Sequence, residues 1–262
     1  MTPRLFLLHG LLGSSAQWRA CAGELGEQFP LTALDLPGIS REPAIAPADF
    51  AGLARWLAER IETTPATGGE ETFAIIASSW AGAVALRFAA DAAIRARLRQ
   101  HLRAMVLIAP VHPFWVPNRR QRWLLRPPVT RLIAPLGRHL PRGAYRALLE
   151  PSFGDPGRVT DDAINVYRSA LQLKSTGRGI AAYARQYQAD LADLGMRLPG
   201  IETPTLLLWG ERDRVVPAAS AMALAGALPR AELRLLRGLG HLPFQEDPAA
   251  CNRAMLPFLL SH

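Results

Sequence analysis

The stretch Phe73-Ala74-Ile75-Ile76-Ala77-Ser78-Ser79-Trp80-Ala81-Gly82-Ala83-Val84 carries the architecture of the chain. Four apolar residues read as a buried strand. A pivot of small residues comes next, and then an apolar stretch of helical character. A strand that turns sharply into a helix holds the side chain at the turn above the sheet, and small neighbours give the turn clearance. Ser79 occupies that turn. The pattern G-x-S-x-G that marks such a nucleophile-bearing turn is altered, because Ala77 and Ala81 stand at both glycine positions. The stretch takes its meaning from two residues far downstream: an aspartate and a histidine, in that order, each in a loop after a strand.

Working outward, short apolar runs alternate with amphipathic ones. Strands are expected at Leu5–Leu8, Leu31–Leu34, Phe73–Ile76, Met105–Ile108, Thr205–Trp209 and Glu232–Leu236. Most are continuously apolar, as strands covered on both faces are. Helices are expected near Ser15–Leu25, Pro47–Thr63 and Ala81–Ala90. Such alternation implies an α/β fold with a mostly parallel sheet flanked by helices. It stops after Ile108 and resumes at Thr205. Between them lies a segment rich in Arg, Pro and aromatics, with helices expected at Arg142–Leu149, Asp161–Leu173 and Thr176–Leu191. The simplest division is a core of residues 1–111 and 201–262 with an inserted helical cap, 112–200. Ligands bind outside the carboxyl ends of parallel strands, so a cap there would roof the pocket.

The 262 residues suit one large domain, and with 49% apolar residues a sizeable core is available. Cys21 and Cys251 give neither a disulfide framework nor metal-ligand spacing. No signal peptide is visible, and the longest apolar run, Phe73 to Leu86, is too short to span a membrane. The expectation is a cytoplasmic protein. The net charge of +8 is localised: residues 111–200 hold 14 Lys/Arg against 6 Asp/Glu, and the remainder holds 16 of each. Eight arginines from Arg119 to Arg146 have no acid among them. Lys174 is the only lysine, which explains why the cations are arginines but not why they gather here. A concentrated positive field favours an anionic ligand, an acidic carrier protein or a membrane surface; a solvated basic face is the plain alternative. No nucleic-acid-binding motif accompanies it.

Nucleophilic hydrolysis needs a nucleophile, a base, an acid to orient the base, and amide donors for the oxyanion. Ser79 is the candidate nucleophile, with Ser78 beside it pointing the other way by strand alternation. Asp213 lies in Gly210-Glu211-Arg212-Asp213-Arg214-Val215-Val216-Pro217, a polar loop after an apolar strand, with Glu211 its rival. His241 lies in the glycine-rich loop Gly238-Leu239-Gly240-His241-Leu242-Pro243 after the final strand. The backbone N–H groups of Trp80 and of Leu11, in the turn His9-Gly10-Leu11-Leu12-Gly13-Ser14, are the oxyanion donors. His9 reads as a loop-shaping group that borders the substrate. Trp115 and Trp123 are expected at an apolar acyl group, unless the aromatics of 112–200 build that segment's own core.

Leu8-His9-Gly10, Asp35-Leu36-Pro37-Gly38, Ala77-Ser78-Ser79-Trp80-Ala81-Gly82, the Asp213 loop and Gly240-His241-Leu242-Pro243-Phe244-Gln245-Glu246-Asp247-Pro248 together resemble the α/β-hydrolase fold. The likeness covers nearly everything outside 112–200. It implies a Ser-Asp-His order of catalytic groups and, since the chain opens on what would be the third family strand, a six-stranded sheet. Ser78 stands where that subgroup commonly has histidine, which by resemblance makes it part of the pocket's rear wall, at the substrate. The activity implied is cleavage of an ester or thioester of an apolar acyl group, without metal or organic cofactor. The resemblance extends to carboxylesterases acting on carrier-linked pimeloyl methyl esters, which implies a phosphopantetheine carrier (acyl-carrier protein or CoA) as a partner for the arginines. A carbon–carbon bond hydrolase and a non-hydrolytic binder on the same fold are the alternatives.

Overall fold

Each apolar run forms the strand expected of it, unchanged in β2 and extended at one end in the other five: β1 (Arg4–Leu8), β2 (Leu31–Leu34), β3 (Phe73–Ser78), β4 (Leu102–Ile108), β5 (Thr205–Gly210) and β6 (Ala231–Leu236). The computed structural model describes residues 2–65, 72–98, 101–126, 129–130, 132, 136–137 and 139–262. The strands make one six-stranded sheet in the order β2-β1-β3-β4-β5-β6, and every neighbouring pair is parallel. The chain leaves β1 toward one edge to form β2, then crosses back over β1 to β3 and continues to the other edge. The crevice between the carboxyl ends of β1 and β3 is therefore the topological switch point, where open α/β sheets bind ligands.

Around the sheet run α1 (Arg19–Gln28), α2 (Phe50–Thr63), α3 (Trp80–Ala90) and α4 (Ala92–Leu98). Between β4 and β5 lie α5 (Arg119–Leu124), α6 (Arg142–Leu149), α7 (Asp161–Gln172) and α8 (Lys174–Arg197). After β5 come α9 (Ala221–Ala227), α10 (Pro243–Glu246) and α11 (Pro248–Ser261). Helix α2 starts three residues later than the pattern suggests. Asp49 turns out to be its N-cap, its carboxylate accepting the Gly52 N–H at 2.6 Å, so Pro47 lies outside the helix. Asp91 opens α4 in the same way, accepting the Ala93 and Ile94 amides.

Strand alternation divides the core into two layers. Phe73, Ile75 and Ala77 of β3 face one apolar cluster together with α2 and α3, while Ala74 and Ile76 face the other with α1 and α11. The segment 112–200 feeds both layers. Tyr145, Phe153 and Tyr167 join the second cluster, and Tyr183, Tyr187 and Leu194 join the first. Tyr183 stacks on Trp80 with centroids 6.0 Å apart, and its hydroxyl donates to the Pro37 carbonyl at 2.5 Å. Its aromatics thus divide: most are shared core, and Phe114 and Trp123 are exposed. Helix α8 also approaches the loop after β2 closely, since a Cβ on Gly179 would sit 2.2 Å from the Gly38 carbonyl oxygen.

Candidate active site

Ser79 directly follows β3 and directly precedes α3, with φ 55° and ψ −118°. A residue bearing a side chain seldom adopts such a conformation, at a cost of roughly 1–3 kcal/mol, and it persists only where the surroundings fix it. Here three backbone bonds do so. The Ser79 N–H donates to the Ile108 carbonyl at 2.9 Å, and the Ser79 carbonyl accepts from Gly82 at 2.9 Å and Val111 at 2.8 Å. Two glycines near the turn are held to that identity by close contacts. A Cβ on Gly82 would meet the Pro110 Cβ at 2.3 Å, and one on Gly10 would meet the Ser79 Cβ at 3.0 Å. Ala77 and Ala81 are fully buried in the first apolar cluster.

His241 Nε2 stands 2.9 Å from the Ser79 hydroxyl, and His241 Nδ1 stands 2.8 Å from Asp213 Oδ2. Asp213 Oδ1 accepts the Val215 and Val216 amides at 2.8 and 2.9 Å, which fixes the carboxylate so that Oδ2 faces the imidazole. The carboxylate therefore stabilises the tautomer with hydrogen on Nδ1 and leaves Nε2 free to accept the serine proton. All three side chains come from loops at the carboxyl ends of β3, β5 and β6. The rival Glu211 is exposed and instead accepts the Gly238 amide at 3.3 Å.

The N–H of Trp80 is the first in α3 and has no partner within the helix. The N–H of Leu11 enters no backbone hydrogen bond among the described residues; the turn is closed by Gly13 donating to Gly10. Both residues border a cavity of about 230 Å³ that also reaches Ser79 and His241. Its walls are mainly apolar, with Val111, Trp115, Leu125, Leu149, Tyr167 and Val216 among them, and its polar lining includes Gln121 and Ser152. Among the described residues no Arg, Lys, Asp or Glu lines it.

The four residues expected at the substrate separate. Trp115 lines the cavity, and its indole N–H donates to the Val215 carbonyl at 3.2 Å. Trp123 is 55% exposed and lies off the cavity wall. His9 is fully buried and also off the wall. Its Nε2 accepts the Leu36 N–H at 2.9 Å, so Nδ1 carries the hydrogen and bonds the Gly10 carbonyl at 2.7 Å. Burial holds its pKa below the ordinary histidine value, so the ring is a neutral strut that ties the Leu11 turn to the loop after β2. Ser78 is fully buried, and its hydroxyl has no partner among the described residues.

The family model described as the alpha/beta hydrolase fold matches residues 3–248. The chain belongs to this family. It is 28% identical to the pimeloyl-[acyl-carrier protein] methyl ester esterase of Nitrosomonas europaea, an alignment covering 94% of this chain and 91% of that one. It is 31% identical to a 2-hydroxy-6-oxononadienedioate/2-hydroxy-6-oxononatrienedioate hydrolase of Cupriavidus pinatubonensis, over 40% of this chain and only 37% of that one. Among solved structures, the 2-hydroxy-6-oxo-6-phenylhexa-2,4-dienoate hydrolase of Rhodococcus superposes with a TM-score of 0.78 at 22% identity, covering all of this chain and 91% of the other. A hydrolase of the α/β-hydrolase fold, expected from the motifs, agrees with these relatives. Among the described residues no helix is long and apolar enough to cross a membrane.

Two features of the site lie within quoted stretches that do not reveal their roles. Glu246 is buried, and its carboxylate accepts the amides of Gly154 at 2.9 Å, Asp155 at 2.9 Å and Gly240 at 2.8 Å. It thereby clamps the loop before α7 to the residue preceding His241. Three glycines make the clamp possible. A Cβ on Gly240 would fall 2.4 Å from the Gly154 nitrogen, and one on Gly210 would fall 2.0 Å from the Gly240 carbonyl oxygen. In sequence Glu246 merely precedes Asp247-Pro248 at a helix start, and nothing there marks which distant amides it serves.

Proposed function

We propose that this chain is a serine hydrolase that cleaves esters or thioesters of uncharged apolar acyl groups. The observation that carries the reading is the unbroken relay Asp213–His241–Ser79 opening on an apolar cavity. In the proposed cycle His241 Nε2 takes the Ser79 proton as the serine oxygen attacks the carbonyl. The Leu11 and Trp80 amides receive the oxyanion. His241 then gives the proton to the departing alcohol or thiol, and the acyl-serine ester remains. Water, deprotonated by His241, attacks that ester, and the proton returns to Ser79 as the acid leaves. Asp213 stabilises the imidazolium in both halves. Residues 112–200 act as the cap, since α5 and α6 supply the cavity's outer wall. The protein works in the cytoplasm.

The walls also favour esters over dienedioates. A substrate with two carboxylates would bury charge against leucines, valines and tryptophan with no cation among the described lining, and desolvation of an unpaired carboxylate is costly. At ~30 Å³ per heavy atom, the share of a water in the liquid, 230 Å³ holds about eight acyl heavy atoms. A carrier-linked acyl group is the second reading, favoured by likeness to the Nitrosomonas esterase along nearly its whole length.

The test is hydrolysis of p-nitrophenyl esters of increasing acyl length by wild type and Ser79→Ala. The expected result is a preference near butanoyl to octanoyl and a kcat loss of several orders of magnitude in the variant. Equal activity in Ser79→Ala would exclude the serine mechanism. Labelling of Ser79 by a fluorophosphonate, absent in a non-hydrolytic binder, is the independent check.

A further inference from the structure

Exposed large apolar side chains are unevenly spread. Among the described residues there are eleven, and seven fall between Phe114 and Leu148. Trp123 is 55% exposed, Leu132 57% and Leu136 64%. The same stretch contains no Asp or Glu. Its cations are largely unspent: Arg119, Arg120 and Arg122, all exposed, and Arg126 have no carboxylate partner among the described residues. Arg142 pairs with Asp161, Arg146 bonds the Val159 carbonyl, and Arg131 and Arg138 lie outside the described residues.

The α5 end of this stretch and Leu148 border the cavity. Leu124 and Leu125 line it from one side, next to Trp123, and Leu148 lines it from another while remaining 39% exposed at its rim. We propose that this rim is a docking surface for the interface of an anionic lipid membrane, with the cavity over Ser79 opening toward the lipid. A face solvated in water would interleave its arginines with polar residues. Here they interleave with leucine and tryptophan, the composition that lies in a headgroup layer with stems and rings in the acyl boundary. A bilayer interface takes both, and each arginine near an anionic surface strengthens partitioning about fivefold. The net charge of 112–200 against a neutral remainder also orients the molecule rim-first in the field of such a surface.

Co-sedimentation of the full chain with vesicles tests this without reference to activity. Vesicles of phosphatidylcholine with phosphatidylglycerol should retain the protein at low salt, and high salt or phosphatidylcholine alone should release it. Arg119→Gln with Arg120→Gln should weaken partitioning roughly 30-fold, and Trp123→Ser about tenfold. Leu260→Ser, equally exposed but beside the cavity at the amino ends of β4 and β5, should change nothing. Leu136→Ser offers a second apolar deletion should Trp123→Ser fold poorly. No retention on anionic vesicles at low salt overturns the proposal. So does equal retention of all variants. Capture by purified acyl-carrier protein with vesicles ignored would overturn it as well, and assign the face to a carrier.

Discussion

Removing the Glu246 carboxylate should damage catalysis without touching any group at the reacting atoms. Three amides, the buried ones of Gly154 and Gly240 and the part-buried one of Asp155, lose their acceptor in Glu246→Ala. A hydrogen bond to a charged group contributes about 1.5–3 kcal/mol, and a buried donor left unmade costs ~1–3 kcal/mol. Water entering the vacated space recovers part of that, so a loss of roughly 3–5 kcal/mol is expected. Glu246→Gln keeps the shape. Its carbonyl oxygen can serve Gly154 and Gly240, which share Oε2, but its NH2 then faces the Asp155 N–H, and about 2 kcal/mol should go. Gly240 adjoins His241, so slack in this clamp shifts the imidazole relative to Ser79; a misplacement near 1 Å costs about 100-fold. Urea denaturation gives the stabilities, and kcat/KM on p-nitrophenyl butanoate gives the catalytic effect. The expected order is wild type, Gln, then Ala in both measurements, with kcat carrying most of the kinetic loss. An Ala variant that is destabilised yet keeps wild-type kcat/KM would refute the positioning argument and leave Glu246 a purely structural clamp.

Gly82→Ala should destabilise by about 1–3 kcal/mol, because its Cβ meets Pro110 at 2.3 Å and both partners are backbone-bound; thermal unfolding measures it, and an unchanged midpoint would mean the loop after β4 yields freely. Burial holds His112 at about 4 against an ordinary 6.5. The unfolded chain binds a proton between those values that the folded chain refuses, so this contribution is complete above pH 6.5 and falls away as the pH drops toward 4, by roughly 3 kcal/mol. His112→Asn should flatten that part of the stability–pH curve, and an equally steep curve in the variant would show the proton binds elsewhere. Leu148→Trp at the cavity rim should raise KM for octanoyl esters while sparing acetyl esters; a uniform change across chain lengths would place the acyl group outside this cavity.

All six strands were legible because most are covered on both faces and therefore continuously apolar, with polar loops at their ends. The positions of Ser79, Asp213 and His241 were legible for a related reason: in a parallel sheet every crossover returns the chain to the same edge, so loops far apart in sequence gather at one rim. Helix starts were less visible. Asp49 sets one through a single side-chain bond and Asp91 another through two, which an apolar periodicity does not register. The destination of the 112–200 helices was illegible too. An amphipathic pattern in α7 or α8 reveals a buried face but not its partner, and Tyr167 and Tyr183 proved to be buried in the same clusters as the sheet.

The altered pattern at the turn shows where a motif and its physical cause separate. G-x-S-x-G places glycines two residues either side of the nucleophile, yet this chain holds fully buried alanines there. The demand for an absent side chain has a different address. It falls at Gly82, against Pro110, and at Gly10, against Ser79 itself. Both contacts join segments distant in sequence, so neither is written in the stretch that announces the turn. A motif records which positions were small in other chains; the clearance belongs to the contact. Ala77→Gly and Ala81→Gly should therefore bring no kinetic gain and lose about 0.5–1 kcal/mol each through added freedom of the unfolded chain. Gly10→Ala should lower kcat by crowding Ser79 while leaving stability nearly intact. Faster turnover in Ala77→Gly or Ala81→Gly would return the clearance requirement to the motif positions.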